Sequence, residues 1–318
     1  MLPVSIGVPQ GSILGPLLFL IYINDIQYAC SDAILKIFAD DSNMFVKGNN
    51  LHDLFNSANL GCLQISNWFQ SNRLTINYDK SAFMLFFPTK DDEQFIKDNA
   101  LTISIDNRLI CRVTDTKFLG IFIDENLTFK RHINYVTCKV NSINSMLFKR
   151  REYLPESTRR NIYFGLIQSR IKYGIEVYAS ATWSSLQPLH TANNRALRTL
   201  QNLSRFSNVK QLYIKYNILP LQLMYKFYLS KLIYKCLNNI YPVSNIMRSM
   251  FNLNVASHRF NTRLSGTNHL YIRSDTAFYK SSVFNSCLIW NNIPILIRNA
   301  NSLNSFAKLY KSHLIETW

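Results

Sequence analysis

Asp40 and Asp41 are the residues of this 318-residue chain best suited to chemistry. Adjacent carboxylates supply hard oxygen donors of the kind that divalent cations accept. The pair stands between Ile34-Leu35-Lys36-Ile37-Phe38-Ala39 and Met44-Phe45-Val46, two apolar runs. Asp also favours turns, so taken alone the two acids serve equally well as the tip of a hairpin. Side chains on a strand alternate faces, and the acids can enter one cleft together only if the turn twists them. Asp40 is therefore expected as the principal metal ligand and Asp41 as the peripheral one.

Two further stretches carry polar chemistry. Gly7-Val8-Pro9-Gln10-Gly11-Ser12-Ile13-Leu14-Gly15-Pro16 runs straight into Leu17-Leu18-Phe19-Leu20-Ile21-Tyr22-Ile23. Pro16 fits the first turn of a helix, so the loop presents backbone N–H groups at a helix start. Such a surface suits a phosphate or the close approach of a base, and equally a tightly packed helix entry. Lys80 ends the loop Leu74 to Lys80, where its ammonium can reach a phosphate or stay in water. His52 has no second ligand at a helical offset and reads as a surface histidine. The six cysteines include no C-x-x-C pair and read as reduced, mostly buried thiols of an intracellular protein.

The elements that would position these groups follow from periodicity. Ile34 to Ala39 predicts a buried strand, Asp40 to Asn43 a turn and Met44 to Lys47 the returning strand. Apolar residues at helical spacing from Leu51 to Trp68 predict one long amphipathic helix ending near Asn72. Ala82 to Phe87 predicts a strand, Lys90 to Asn99 a solvated excursion, and Asp106-Asn107 a hairpin between Ile103 to Ile105 and Arg108 to Val113. Phe118 to Ile123 predicts a strand interrupted by Gly120, the mark of a bulge or a close approach. Helices are then expected over about 128–151, from Pro155 to about Ala179, from Trp183 to Leu203, from Leu221 to Leu237 and from Ser305 to Leu314. The stretch from Ser257 to Ser282 reads as loops.

Charge divides the chain as periodicity does. Residues 1–127 hold nine Lys/Arg against fourteen Asp/Glu, whereas residues 128–318 hold 26 against five, so the balances are −5 and +21. An acidic, strand-rich part joined to a basic, helical part suits a carboxylate metal site coupled to a clamp for a polyanion. Lys149, Arg150, Arg151, Arg159, Arg160, Arg195 and Arg198 are the expected contacts to a nucleic-acid backbone. Basic and aromatic residues interleave in Leu221 to Leu237, where the aromatic side chains read more readily as core than as base-stacking platforms. The longest apolar run, Ile13 to Ile23, contains Gly15 and Pro16 and is short of the roughly 20 residues a membrane span requires. No membrane partner and no signal peptide are expected, and the nucleus or cytoplasm is the expected compartment.

Taken together and in order, these motifs resemble the reverse transcriptase of non-LTR (LINE-type) retrotransposons, from the middle of the palm onward. Gly7 to Pro16 resembles the family's motif B, Phe38-Ala39-Asp40-Asp41 its metal-binding motif C, Leu74 to Lys80 its motif D, and Phe118-Leu119-Gly120 its primer grip, motif E. The resemblance implies an α+β fold: a partial polymerase palm, an antiparallel sheet with helices, over residues 1–127. A thumb-like helical bundle follows over 128–205, and a helical or irregular region of unknown role over 206–318. His258 to Arg263 and Trp290-Asn291-Asn292-Ile293-Pro294 resemble the segment that follows the polymerase in invertebrate elements.

The implied activity is two-metal nucleotidyl transfer on an RNA template and DNA primer, with deoxynucleoside triphosphates as substrates and Mg2+, or Mn2+, held by Asp40 and Asp41. Gln10, Gly11, Ser12, Phe38 and Ala39 would line the nucleotide and template, and Lys80 would neutralise the triphosphate or donate a proton. The family's motif A, a strand with a further metal-binding Asp, has no counterpart in this sequence: Asp25 lies beyond a helix and Asp32 in a loop. The expectation is that these residues alone have no polymerase activity. A non-catalytic nucleic-acid-binding remnant of a mobile element is the alternative.

Overall fold

The computed structural model describes residues 11–30, 33–240, 243–251, 269–270 and 277–318, the last without the side chains of 277–282. Gln10, Asp32 and His258 to Arg263 lie outside the described residues. The chain divides into two compact units, residues 1–116 with 124–126, and residues 117–123 with 127–318.

In the first unit, Ser12 Oγ accepts a hydrogen bond from Gly15 N at 3.0 Å and opens helix α1, Leu14–Ile23, with Pro16 in its first turn. This helix is apolar on every side, yet Leu14, Leu17, Leu20 and Ile21 are exposed and only Ile23 is buried. Strands β1, Ile34–Phe38, and β2, Asp41–Phe45, form an antiparallel hairpin with Ile34 opposite Phe45 and Phe38 opposite Asp41. The expected buried strand is half exposed, with Ile34, Lys36 and Phe38 turned to solvent. The expected four-residue turn is only Ala39-Asp40, so β2 starts three residues earlier than the apolar run suggested.

Helix α2, Leu51–Ser71, matches its predicted span. Asn50 caps it by accepting from Asp53 N at 2.8 Å. Phe55, Ala58 and Cys62 bury against Ile103, with Met44, Val46 and Phe83 packed around them. Asn59 fastens the helix to the following segment, donating to Thr102 O and accepting from Ser104 N, both at 2.9 Å. Strand β3 is Ala82–Phe83. The expected solvated excursion is helix α3, Lys90–Asp98, started by a capping box between Thr89 and Asp92. Its first turn carries Asp91, Asp92 and Glu93, where carboxylates favour a helix, so charge density here signalled a helix start and not a loop.

Strands β4, Ser104–Ile105, and β5, Arg108–Leu109, form the predicted hairpin, with Asp106 and Asn107 both at positive φ. Strand β6, Cys111–Arg112, leaves that hairpin and pairs parallel to β3. Strands β7, Asp115–Phe118, and β8, Ile121–Asp124, replace the single strand expected over Phe118 to Ile123. Their turn is Leu119-Gly120, at φ 45° and 86°, so the glycine serves a two-residue turn and not a bulge. The architecture is α+β, but among the described residues the strands form four separate pairs, one of them parallel, where one antiparallel sheet was expected. Strands of two to five residues offer too few ladder bonds to recruit a third.

The second unit is helical. Helix α4, Lys130–Arg150, buries Ile133, Val136, Val140, Ile143 and Leu147, the stripe its sequence predicts. The single helix expected after Pro155 is instead α5, Glu156–Ile162, a π-helical segment Tyr163–Gln168, α6, Ser169–Lys172, and α7, Ile175–Tyr178. Gly174 at φ 65° separates the last two, a conformation that side chains with a Cβ avoid. Tyr163, Ile167 and Ile171 are all fully buried along this stretch. Helix α8, Trp183–Leu200, packs on α4. Then follow α9, Lys210–Lys215, α10, Leu221–Leu237, α11, Asn245–Met250, α12, Ala277–Asn291, α13, Ile295–Arg298, and α14, Leu303–Glu316.

One core runs from Phe129 to Leu314 and includes Phe227 and Tyr234 of α10. These two aromatic side chains are core, as their spacing suggested. A hydrogen-bond chain lies inside it. Tyr163 Oη donates to Asn193 Oδ1 at 2.8 Å, and Asn193 Nδ2 donates to Tyr213 Oη at 3.1 Å. Burial pushes both phenols up, so they stay protonated. Of the six cysteines, Cys30, Cys62, Cys236 and Cys287 are buried and Cys111 and Cys138 exposed, all as free thiols.

Candidate functional site

The acid pair sits at the tip of the β1–β2 hairpin. Ala39 has φ 52°, a left-handed conformation that in a two-residue hairpin is ordinarily given to glycine, asparagine or aspartate. Holding alanine there costs about 1 kcal/mol. Asp41 is the first residue of β2, directly opposite Phe38, so both side chains project from one face of the hairpin. Asp40 occupies the turn itself. Both carboxylates are exposed, and Phe38 is 62% exposed beside them. The opposite face carries Met44, which packs towards α2. A Cβ at Gly61 of α2 would stand 2.6 Å from Met44 Sδ, so the glycine permits the close seating of the hairpin on the helix.

A metal ion needs more than two neighbouring acids unless a substrate completes its shell. Among the described residues no group of three or more His, Cys, Asp or Glu is placed to hold one. Asp40 and Asp41 therefore fit a metal as the protein's share of a coordination shell, with oxygen donors of the right hardness and open access. Lys80 is exposed at the end of a 3-10 turn, Tyr78–Lys80, and Asn77 Oδ1 accepts from its backbone N at 3.2 Å. It forms no ion pair with Asp40 or Asp41.

The neighbouring polar cluster is organised by Asp106, to which Ser66 Oγ and Tyr78 Oη donate, the latter at 2.6 Å. The bonds from Ser66 first and Tyr78 second hold the Asp106 carboxyl below its ordinary range. Arg108 stacks over the Tyr78 ring at 4.5 Å. Gly11 is exposed at φ 84°, and Ser12 is engaged in opening α1.

The expected primer grip is the β7–β8 turn. Tyr173 Oη donates to Leu119 O, and a Cβ on Gly120 would lie 3.1 Å from Tyr173 Cε1. Tyr173 is the residue that the sequence did not point to here. It is 54 positions from its acceptor, and only its place beside Gly174 marks it locally.

The seven basic residues expected on a nucleic-acid backbone have different surroundings. Lys149, Arg150, Arg160 and Arg195 are exposed, and Arg160 lies 5.0 Å over the Phe164 ring. Arg151 donates to Asn202 Oδ1 at 2.6 Å and to Phe148 O at 2.8 Å. Arg159 donates to Leu200 O at 2.7 Å, to Arg151 O at 2.6 Å and to Leu154 O. Arg198 donates to Ser207 O at 2.8 Å. These last three join chain segments through carbonyl and amide oxygens. No helix among the described residues is long and apolar enough to cross a membrane.

Residues 2–123 match the family described as reverse transcriptase (RNA-dependent DNA polymerase). The chain is similar to the RNA-directed DNA polymerase from mobile element jockey of Drosophila melanogaster, with 27% identity over 62% of this chain and 22% of that protein. It is similar also to the probable RNA-directed DNA polymerase from transposon X-element of the same species, at 24% identity over 64% of this chain and 22% of the relative. A third relative, the probable RNA-directed DNA polymerase from transposon BS, is 24% identical over 61% of this chain and 22% of its own length. The chain thus spans about a fifth of the length of the curated relatives it matches. No solved structure is significantly similar to it.

Proposed function

We propose, from the premise that residues 2–123 are reverse transcriptase sequence of the kind carried by non-LTR retrotransposons, that this chain serves RNA-directed DNA synthesis by such an element. The carrying observation is the exposed Asp40-Asp41 pair on a hairpin tip inside the matched residues. Its partners are an RNA template, a DNA primer and deoxynucleoside triphosphates. Residues 1–127 act as the palm segment, 128–205 as a thumb-like bundle, and 206–318 as an appended helical region.

In this reading Asp40 and Asp41 hold divalent metal, Asp40 as the principal ligand. Mg2+ or Mn2+, when bound, supplies Lewis-acid activation of the primer hydroxyl and neutralises triphosphate charge. Gln10, Gly11, Ser12, Phe38 and Ala39 line the nucleotide and template, and Lys80 meets the triphosphate. Phe118, Leu119 and Gly120 bear on the primer, with Tyr173 holding their turn. Exposed Lys149, Arg150, Arg160 and Arg195 take backbone phosphates without regard to sequence.

In this reading the 318 residues by themselves do not extend a primer, because among the described residues no third acid joins Asp40 and Asp41, which leaves too few protein ligands for two metal ions. Primer extension with the purified chain tests this. The expected result is salt-dependent binding of labelled primer-template with no extension in Mg2+ or Mn2+. Mg2+-dependent extension that Asp40→Ala abolishes would overturn the claim of inactivity while upholding the site. A second reading, a nucleic-acid-binding remnant with no catalytic part, is favoured by the +21 balance of residues 128–318. It predicts that Asp40→Ala leaves Mg2+-dependent binding of deoxynucleoside triphosphates unchanged.

A further inference from the structure

Arg298 closes the short helix α13 and is 6% exposed, in a part of the chain to which the polymerase motifs assign nothing. Its Nε and Nη1 are buried without a hydrogen-bond partner, and among the described residues no carboxylate pairs with it. A buried charge in this state is costly unless something compensates it. Arg298 lines a cleft of about 360 Å³ together with Tyr234, Asn238, Trp290, Asn299 and Asn301, and among the described residues no Asp or Glu lines it. The walls are held by packing: Phe306 stacks on Tyr234 at 4.7 Å and on Trp290 at 5.7 Å, and Tyr234 Oη donates to Ala300 O. Burial weakens the hold of Arg298 on its proton, and His269, close enough to feel the guanidinium charge, is held below its ordinary value by burial first and Arg298 second.

The geometry points to an anion-binding cleft in which Arg298, assisted by the side-chain amide of Asn301 and by the second Nδ2 hydrogen of Asn238, whose first goes to Tyr234 O at 2.9 Å, receives a backbone phosphate of a bound polynucleotide. A guanidinium fork matches phosphate oxygens, and amide N–H groups complete the donor set. A polynucleotide is the source favoured by the surrounding charge, since residues 128–318 carry +21. The inference rests on the nucleic-acid-binding part of the function proposed above and extends it to residues 206–318.

The test uses the full chain, a fluorescent single-stranded oligonucleotide and anisotropy over a series of salt concentrations. Arg298→Met keeps the volume and removes the charge. Asn301→Asp places a carboxylate at an exposed position of the cleft and leaves the core alone. Each is expected to weaken binding about tenfold, as loss of a charged hydrogen bond does. Each should also reduce the slope of log K against log salt by about 0.7, the loss of one phosphate contact on a single strand. A merely structural arginine would change the melting temperature and leave the slope intact.

If Arg298→Met does not fold by circular dichroism, Asn301→Asp decides alone. Oligonucleotide affinity and slope equal to wild type in the folded variants overturn the proposal while the wider reading stands. Failure of the wild-type chain to bind the oligonucleotide overturns both. Inorganic phosphate at constant ionic strength separates the sources: Arg298-dependent broadening of the 31P signal, with oligonucleotide binding indifferent to Arg298, means a free-phosphate site and also overturns the proposal.

Discussion

Arg159 and Arg160 are adjacent and identical in type, yet the structure gives them opposite surroundings, and replacing each by leucine tests what each does. Arg159 joins three chain segments: the last carbonyl of α8 at Leu200, the carbonyl that closes α4 at Arg151, and that of Leu154 in the link to α5. Carbonyls at helix ends have no partner within their own helix, so these bonds satisfy groups that otherwise need water. A bond from a charged donor contributes roughly 1.5–3 kcal/mol. The site is only part-buried, and water can replace some of what is lost, so Arg159→Leu is expected to destabilise by about 3 kcal/mol in total. For a body of this size that lowers the melting temperature by roughly 6–12 °C. Arg160 is exposed over Phe164, and Arg160→Leu should shift stability by less than about 0.5 kcal/mol. It should instead weaken oligonucleotide binding and make its salt dependence shallower by about 0.7. Differential scanning calorimetry and anisotropy on both variants give the answer. An Arg159→Leu protein that melts like wild type but binds nucleic acid poorly would refute this assignment of the two arginines.

Two other variants probe single contacts. Glu156 accepts from Tyr216 at 2.7 Å and from Lys215 at 3.1 Å, and these bonds, Tyr216 first, lower its carboxyl from 4.5 to about 2. A depressed folded value means the contribution is present above 4.5 and fades as pH falls towards 2. Wild type is therefore expected to lose stability across that window more steeply than Glu156→Gln, as measured by urea unfolding at successive pH values. Parallel curves would count against the contact. Gly120→Ala forces a Cβ into a turn at φ 86° and to 3.1 Å from Tyr173 Cε1. A loss of roughly 1–2 kcal/mol is expected, read as a lower urea midpoint, and an unchanged midpoint would contradict the turn geometry.

Much of the fold was legible because its elements are local. The long helices α2, α4 and α10 repeat apolar residues every three or four positions, and their spans emerged almost as the pattern gave them. The hairpins were less legible. Three apolar residues after Asn43 marked β2, but its pairing begins at Asp41, because a left-handed Ala39 tightens the turn to two residues. Leu119-Gly120 looked like a glycine inside a strand until positive φ at both positions made it a turn. Lys90 to Asp98 looked solvated because it is polar, yet a reciprocal cap and a first turn of acids suffice to start a helix with no buried residue.

The candidate site divides along the same line. The order of the motifs, the acid pair, and the contrast between an acidic first part and a basic second part belong to the sequence itself, and they carried the family resemblance. Which arginines face water and which bridge helix ends was decided only by the tertiary structure. The acceptor of Arg159 at Leu200 lies 41 positions along the chain, and no local pattern encodes so distant a partner. Arg298 is the same case with the opposite outcome. Packing buries its guanidinium, and among the described residues no carboxylate meets it. Composition fixes how many charges a chain carries, and only the fold determines which of them find a counterpart, because desolvation and distance are set by packing.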